Sequence, residues 1–225
     1  MKFLSEKIID LFPFSEKYIR NKKARTELLL GLGLAVNLAY AVYNMITGVY
    51  YGSVWLGAVA VYYIMLCSVK FFLLLRGFEL GQSRVKALKD MRICGVLLIV
   101  LNLTISILIY RMIRQSSAHL YSGGVIFAAA GYTLFRIGAT IVDSQSLKKH
   151  FDPTIFAAKA LSLSVALMSF FSLQTSLLDR FCTDAGLKQG LNLLTGTVVA
   201  VIVLSAALRT LLRANKELKG QDFKG

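Results

Sequence analysis

Residues 93–113, ICGVLLIVLNLTISILIYRMI, decide the fold. The stretch holds one charge, Arg111 near its end, and neither a proline nor a cluster of turn residues. As an α-helix it would be about 31 Å long, close to the hydrocarbon thickness of a bilayer, which takes about 20 apolar residues to cross. Five further stretches repeat the pattern, at 28–50, 53–75, 124–143, 155–178 and 191–212, with the punctuation between them. The expectation is an all-α fold, a polytopic transmembrane bundle of six helices over residues 28–213. A cytoplasmic segment, 1–27, precedes it, and a short cytoplasmic tail, 214–225, follows it.

The composition agrees. Of 225 residues, 56% are hydrophobic and 17% charged, and the mean hydropathy is +0.62. A soluble domain runs nearer about 45–50% apolar and about 25% charged. A disordered polar chain, a collagen-like repeat and a disulfide-stapled secreted module are excluded on these figures. Cys67, Cys94 and Cys182 are too few and too scattered for a disulfide framework or a metal clip.

A formal net charge of +14 would suggest nucleic acid in a soluble protein. Here the cations lie in clusters between apolar runs, and they set orientation instead. Counting alternate segments, 19 lysines and arginines fall on the side of both termini and 4 on the other. The three that remain, Lys70, Arg136 and Lys159, lie inside spans. The reading is a multi-pass protein of a bacterial plasma membrane with both termini cytoplasmic, and no nucleic-acid partner. Phe3, Leu4, Ile8, Leu11 and Phe12 share one face of a segment ending at Pro13. That face reads as an interfacial amphipathic helix or as a segment packed on the bundle, and the N-terminus lacks the short apolar core of a cleavable signal peptide.

Polar groups are costly in hydrocarbon, so the polar positions inside spans carry the functional question. Asn37, Tyr40, Asn44 and Thr47 share one face of the first helix, and Lys159, Ser162, Ser169, Ser172 and Ser176 one stripe of the fifth. Asn102 pairs with Ser106 in the third helix, and Asn192 with Thr195 in the sixth. Such stripes line a path or binding groove, or they bind helices to one another. Tyr62 and Tyr63 lie mid-span, where a hydroxyl needs a partner such as Asn37 or Asn44, and Gln174 needs one likewise. Trp55, Tyr50 and Tyr51 fall at the expected outer interface.

The in-span cations lie in the cytoplasmic third of their helices. Lys70 is close enough to Arg76 to snorkel to the interface. Arg136 is deeper and stands seven residues before Asp143, on the same face. If Arg136 and Lys159 point inward they form a basic vestibule suited to an anion or a lipid head group. No catalytic set emerges: His119 and His150 fall on opposite sides of the membrane, and no nucleophile elbow, metal-binding helix motif or phosphate loop is present. The expectation is a protein that is not an enzyme and needs no cofactor and no metal.

Asn37, Asn44, Gly48 and the Gly52-Ser53 turn resemble the first hairpin of cation diffusion facilitator transporters. Six spans with both termini inside also fit that family. The chain departs at the metal site: where the family has Asp and His ligands, the second helix offers Val59, Tyr62 and Leu66, and the fifth offers Ser162 and Ala166. The resemblance therefore implies the scaffold without the metal chemistry. A second resemblance covers most of the chain. Ser53-x-Trp55, Ala60-x-Tyr62-Tyr63, Lys70-Phe71, Ala158-Lys159-Ala160-Leu161, Leu173-Gln174-Thr175, Asn192-x-x-Thr195-Gly196 and Arg213-Ala214-Asn215-x-Glu217-Leu218 are similar to pieces of a group of six-span bacterial integral membrane proteins with no activity to carry over.

The sequence thus predicts a transporter-like membrane protein that binds or moves a small solute along Asn37, Asn44, Tyr62, Arg136, Lys159, Ser162, Ser169 and Gln174. The alternative is a non-transporting scaffold or partner subunit. Its partners are the lipid bilayer, the small solute and, through its outer faces, a second copy of itself in a homo-oligomer.

Overall fold

A computed structural model describes residues 22–77, 83–114, 123–144 and 152–222. The proposed interfacial helix, His119 and His150 lie outside the described residues. Six α-helices follow one another: α1 Lys22–Tyr50, α2 Val54–Gly77, α3 Arg84–Arg114, α4 Gly123–Ser144, α5 Pro153–Phe181 and α6 Ala185–Asp222. No strand occurs among the described residues. Five of the helices, α1, α2, α3, α5 and α6, are long and apolar enough to cross a membrane. The fold is the all-α bundle the apolar runs predict.

Helix ends are fixed by short-range chemistry. The chain leaves α1 through Tyr51 and Gly52, with Ser53 N donating to Gly48 O at 2.8 Å and Gly52 N to Val49 O at 3.3 Å. This pair of bonds is a Schellman closure, and it needs a left-handed residue, supplied by Gly52 at φ +60°. Asp152 caps α5 by accepting from Thr154 N at 2.9 Å and Ile155 N at 3.3 Å, and Pro153 takes the first helical position. Asp184 caps α6 in the same way, through Gly186 N and Leu187 N. Lys188 Nζ bridges back to Asp179 at 2.6 Å, holding the tight α5–α6 turn.

α5 is the hub and packs against all five other helices. A helix in that position must be slender, and its buried side is built from Ala157, Ala158, Ala160, Ser164, Ala166, Ser169, Ser172 and Ser176 with only a few large residues. It is also the most enclosed span, with 61% of its apolar segment buried against 28% for α6. The remaining apolar surface points outward: Val49, Phe127, Leu134, Leu194 and Leu212 are all more than half exposed, as side chains meeting lipid would be.

Close backbone approaches set the helix pairs. A Cβ on Gly48 would stand 2.9 Å from Gly57 N, so α1 and α2 meet backbone to backbone beside their turn. A Cβ on Gly95 would stand 3.2 Å from Leu211 N, which draws α3 onto α6. Both of these helices outrun the expected spans of 93–113 and 191–212. α6 has 38 residues, about 57 Å, well beyond a bilayer core of about 30 Å. The projecting ends sheathe each other through buried Ala87, Leu88, Met91, Ala207, Thr210 and Ala214, and an exposed Arg84–Glu217 pair at 3.2 Å closes them. The Arg213 guanidinium lies 5.2 Å over the Phe156 ring and ties the same end to α5.

Trp55, expected at the outer interface, stands in the first turn of α2 and faces inward. It is 7% exposed and meets Phe171 edge to face at 5.6 Å, because α2 begins with its first turn already turned toward α5. Tyr50, in contrast, is 81% exposed.

Candidate functional site

The buried side of α1 is a register of residues three or four apart: Leu30, Gly33, Asn37, Tyr40, Asn44 and Gly48. Asn37 stands at its middle, fully enclosed. Its neighbours fix its amide. Gly33 O can only accept and Lys70 Nζ can only donate, so Nδ2 donates to Gly33 O at 3.0 Å and to Tyr132 Oη at 2.7 Å, while Oδ1 accepts from Lys70 Nζ at 2.7 Å. One side chain thereby joins α1, α2 and α4.

Lys70 is 1% exposed. The expected snorkelling does not occur, because α2 is rotated so that Lys70 faces α1 and α4. Its ammonium is held by the Asn37 amide instead of reaching the helix end, six residues on at Arg76 and about 9 Å along the axis. Arg136, 3% exposed, comes to the same place from α4. A Cβ on Gly33 would stand 3.1 Å from Arg136 Nη1 and 3.6 Å from Lys70 Nζ. Glycine at 33 therefore leaves the room in which two cations converge. That places the two nitrogens about 7 Å apart or less. Among the described residues the ionisable groups acting on Lys70 are Arg136 and Cys67, and no carboxylate is one of them. The Asp143 side chain, the expected partner of Arg136, lies outside the described residues.

An aromatic group walls this cluster. Tyr40 and Tyr132 stack with centroids 3.9 Å apart and 6° between planes, and Tyr63 meets both edge to face at 5.1 and 5.6 Å. The Tyr63 hydroxyl is buried beside Tyr132. Tyr40 is engaged by Ser172 and Asn44, and Thr133 Oγ1 donates to Ser169 O at 3.0 Å, which fastens α4 to α5 behind the tyrosines.

The other polar residues divide into two kinds. Asn44, Thr47, Ser164, Ser169 and Ser176 donate to carbonyls three or four residues back in their own helices. Such bonds satisfy the side chain locally and leave it little to offer a solute. Asn102, Gln174 and Asn192 join helices. Asn102 Nδ2 donates to Ala200 O at 3.1 Å, Gln174 Nε2 to Thr195 Oγ1 at 2.8 Å, and Thr175 Oγ1 to Asn192 Oδ1 at 3.3 Å. Gln174 thus has the neighbour its depth requires, on α6 and away from Asn37.

Of the sequence-predicted site residues, Asn37 and Arg136 meet at the cluster. Asn44 and Ser169 lie along the same interior, and Tyr62, 3% exposed, packs beside Tyr63. Lys159 and Ser162 are half-buried on α5 and are not among the groups that reach Gly33. Gly33, Lys70, Tyr40 and Tyr132 complete the site without having been chosen. Each carried a signal: Tyr40 shares the Asn37 face, Lys70 is an in-span cation, and Gly33 and Tyr132 each sit one helical turn before a residue that was chosen, Asn37 and Arg136. The positions matching transporter metal ligands, Val59, Tyr62 and Leu66, are buried among apolar neighbours. Among the described residues no three His, Cys, Asp or Glu side chains gather as a metal centre. Compared with protein-family models and with curated proteins, the chain matches none.

Proposed function

We propose that this chain is a membrane-embedded, transporter-like protein of the bacterial plasma membrane, with both termini cytoplasmic. In this reading it binds or moves a small polar solute in the interior between α1, α2, α4 and α5, and it makes or breaks no covalent bond. One observation carries the reading: Lys70 and Arg136 converge on Asn37 and Gly33 at membrane depth. Helix association needs no such device. Small residues and single amides suffice for it, as they do between α3, α5 and α6. Two enclosed cationic side chains are costly, and intramembrane ionisable groups of this kind mark solute and ion paths.

The scaffold reading draws on a different observation. Among the described residues, most serines and threonines of the bundle bond their own helices, and the α5–α6 polar contacts are complete without a solute. That half of the molecule behaves as a frame, and the proposed function is confined to the other half.

Cysteine labelling tests the proposal. With Cys67, Cys94 and Cys182 replaced, Ser169→Cys and Thr133→Cys are exposed in turn to a membrane-impermeant thiol reagent. Labelling at both, with none at lipid-facing Ser205→Cys, supports a water-reachable interior. Three unlabelled positions would favour the scaffold.

A further inference from the structure

We infer that the ion handled by this interior is the proton, carried on Lys70 Nζ, and that the Asn37 amide turns over to serve both charge states. This deepens the proposed function by naming its ion, and it rests on that reading. A proton needs no vacant volume, and the packed cluster has little to offer. A Cβ on Gly33 would stand 3.1 Å from Arg136 Nη1 and 3.6 Å from Lys70 Nζ. Of the two cationic side chains only lysine exists as both ion and neutral base, since a guanidinium keeps its proton in proteins.

The amide supplies the geometry. Beside an ammonium, Asn37 Oδ1 accepts from Lys70 Nζ at 2.7 Å while Nδ2 donates to Tyr132 Oη and to Gly33 O. When the ammonium gives a proton to water, Nζ keeps the electron pair and becomes an acceptor. A half-turn of the amide then points Nδ2 at Nζ across the same 2.7 Å, and Tyr132 Oη donates to Oδ1, also at 2.7 Å. Gly33 O sets the two states apart. It accepts from Nδ2 in the first and faces Oδ1 at 3.0 Å in the second. That contact between two acceptors returns the amide once Nζ regains its proton. An amide beside a tyrosine fits both states because each of them can donate and accept.

The neighbours leave Lys70 as the carrier. Arg136, from α4, keeps its charge in both states, and on α2 Cys67 Sγ donates to Leu34 O at 3.9 Å and so holds its own proton. Tyr132 stands across Asn37 from Lys70. Among the described residues no ionisable group of α3 or α5 acts on Lys70.

Magnetic resonance of isotope-labelled lysine in the wild-type protein, held in lipid nanodiscs, reads the charge of Lys70 directly. Its signal is assigned by its loss in Lys70→Arg and, independently, in Lys70→Met. The expected result is passage between ammonium and amine within about pH 5–8, with the Asn37 side-chain amide signal of the same sample moving in step. Over that transition the ratio of the unfolding constants of wild type and Lys70→Met should change by up to about tenfold per pH unit. A Lys70 signal in one charge state throughout, or a ratio that does not move, overturns the inference. An ionised carboxylate offers only acceptors, so Asn37→Asp should hold the ammonium across the range. An unaltered transition in that variant overturns the role of the amide. Cys67→Ser should leave the transition in place, and its disappearance would move the proton to the thiol and overturn the assignment. The polar-solute reading survives a silent Lys70 if Ser169→Cys and Thr133→Cys are still labelled from water.

Discussion

Removing Asn37 should cost much more while Lys70 is present than after Lys70 has gone. In the wild-type protein the amide donates to Gly33 O and Tyr132 Oη and accepts from Lys70 Nζ at 2.7 Å. Asn37→Ala deprives a buried ammonium of that acceptor. A hydrogen bond to a charged group contributes about 1.5–3 kcal/mol, and the orphaned Tyr132 and Gly33 groups add about 1 kcal/mol more. The expected loss is therefore about 2.5–4 kcal/mol. Lys70→Met keeps the volume and removes the charge, so it should be far milder than its burial suggests. In Lys70→Met the further change Asn37→Ala should cost only about 1–2 kcal/mol, a coupling of about 2 kcal/mol. Reversible unfolding of the four proteins in mixed micelles, monitored by helical circular dichroism, closes the cycle. Additive losses, with coupling below about 0.5 kcal/mol, would show that Asn37 does not hold the Lys70 charge, and the reasoning from buried cation to site would fail.

The hairpin and the frame give further predictions. Gly48→Val should destabilise the protein by about 1–3 kcal/mol in the same unfolding assay, because its Cβ would strike Gly57 N, whereas Gly57→Ala meets nothing within 4 Å and should be nearly neutral. Gly52→Val should cost about 1–2 kcal/mol through its φ of +60°, although open space surrounds it. Gln174→Leu should lower stability by about 1 kcal/mol by unpairing Thr195, which the same unfolding assay would check.

Much of this fold was written in the apolar runs. Six helices, short turns and the buried face of α1 all follow from where polar residues interrupt hydrophobic ones, since Asn37 and Asn44 stand out against Leu, Ala and Val. Helix rotation was harder to read. Lys70 near the end of a span looks like any snorkelling lysine, and only the glycine contact between Gly48 and Gly57 and the tyrosine packing fix which way α2 turns. The serine stripe of α5 was visible, but spacing does not reveal whether a hydroxyl faces a solute or its own helix carbonyl, and the latter holds for Ser169 and Ser176. The polar ending of α6 read as a tail. It is helix to Asp222 because its Ala207, Thr210 and Ala214 face the start of α3, a contact between residues far apart in the chain.

Hydroxyl-radical footprinting of the unaltered protein in lipid nanodiscs tests the central claim most directly, because radicals form only where water is present. Tyr40, Tyr63 and Tyr132 are enclosed in this structure, so their oxidation reports an interior that opens to water. A solute site should oxidise all three well above lipid-facing Leu134 and Phe127. If the tyrosines stay as unmodified as those two, the α1–α2–α4–α5 interior is dry, and the polar cluster holds helices together without meeting a solute.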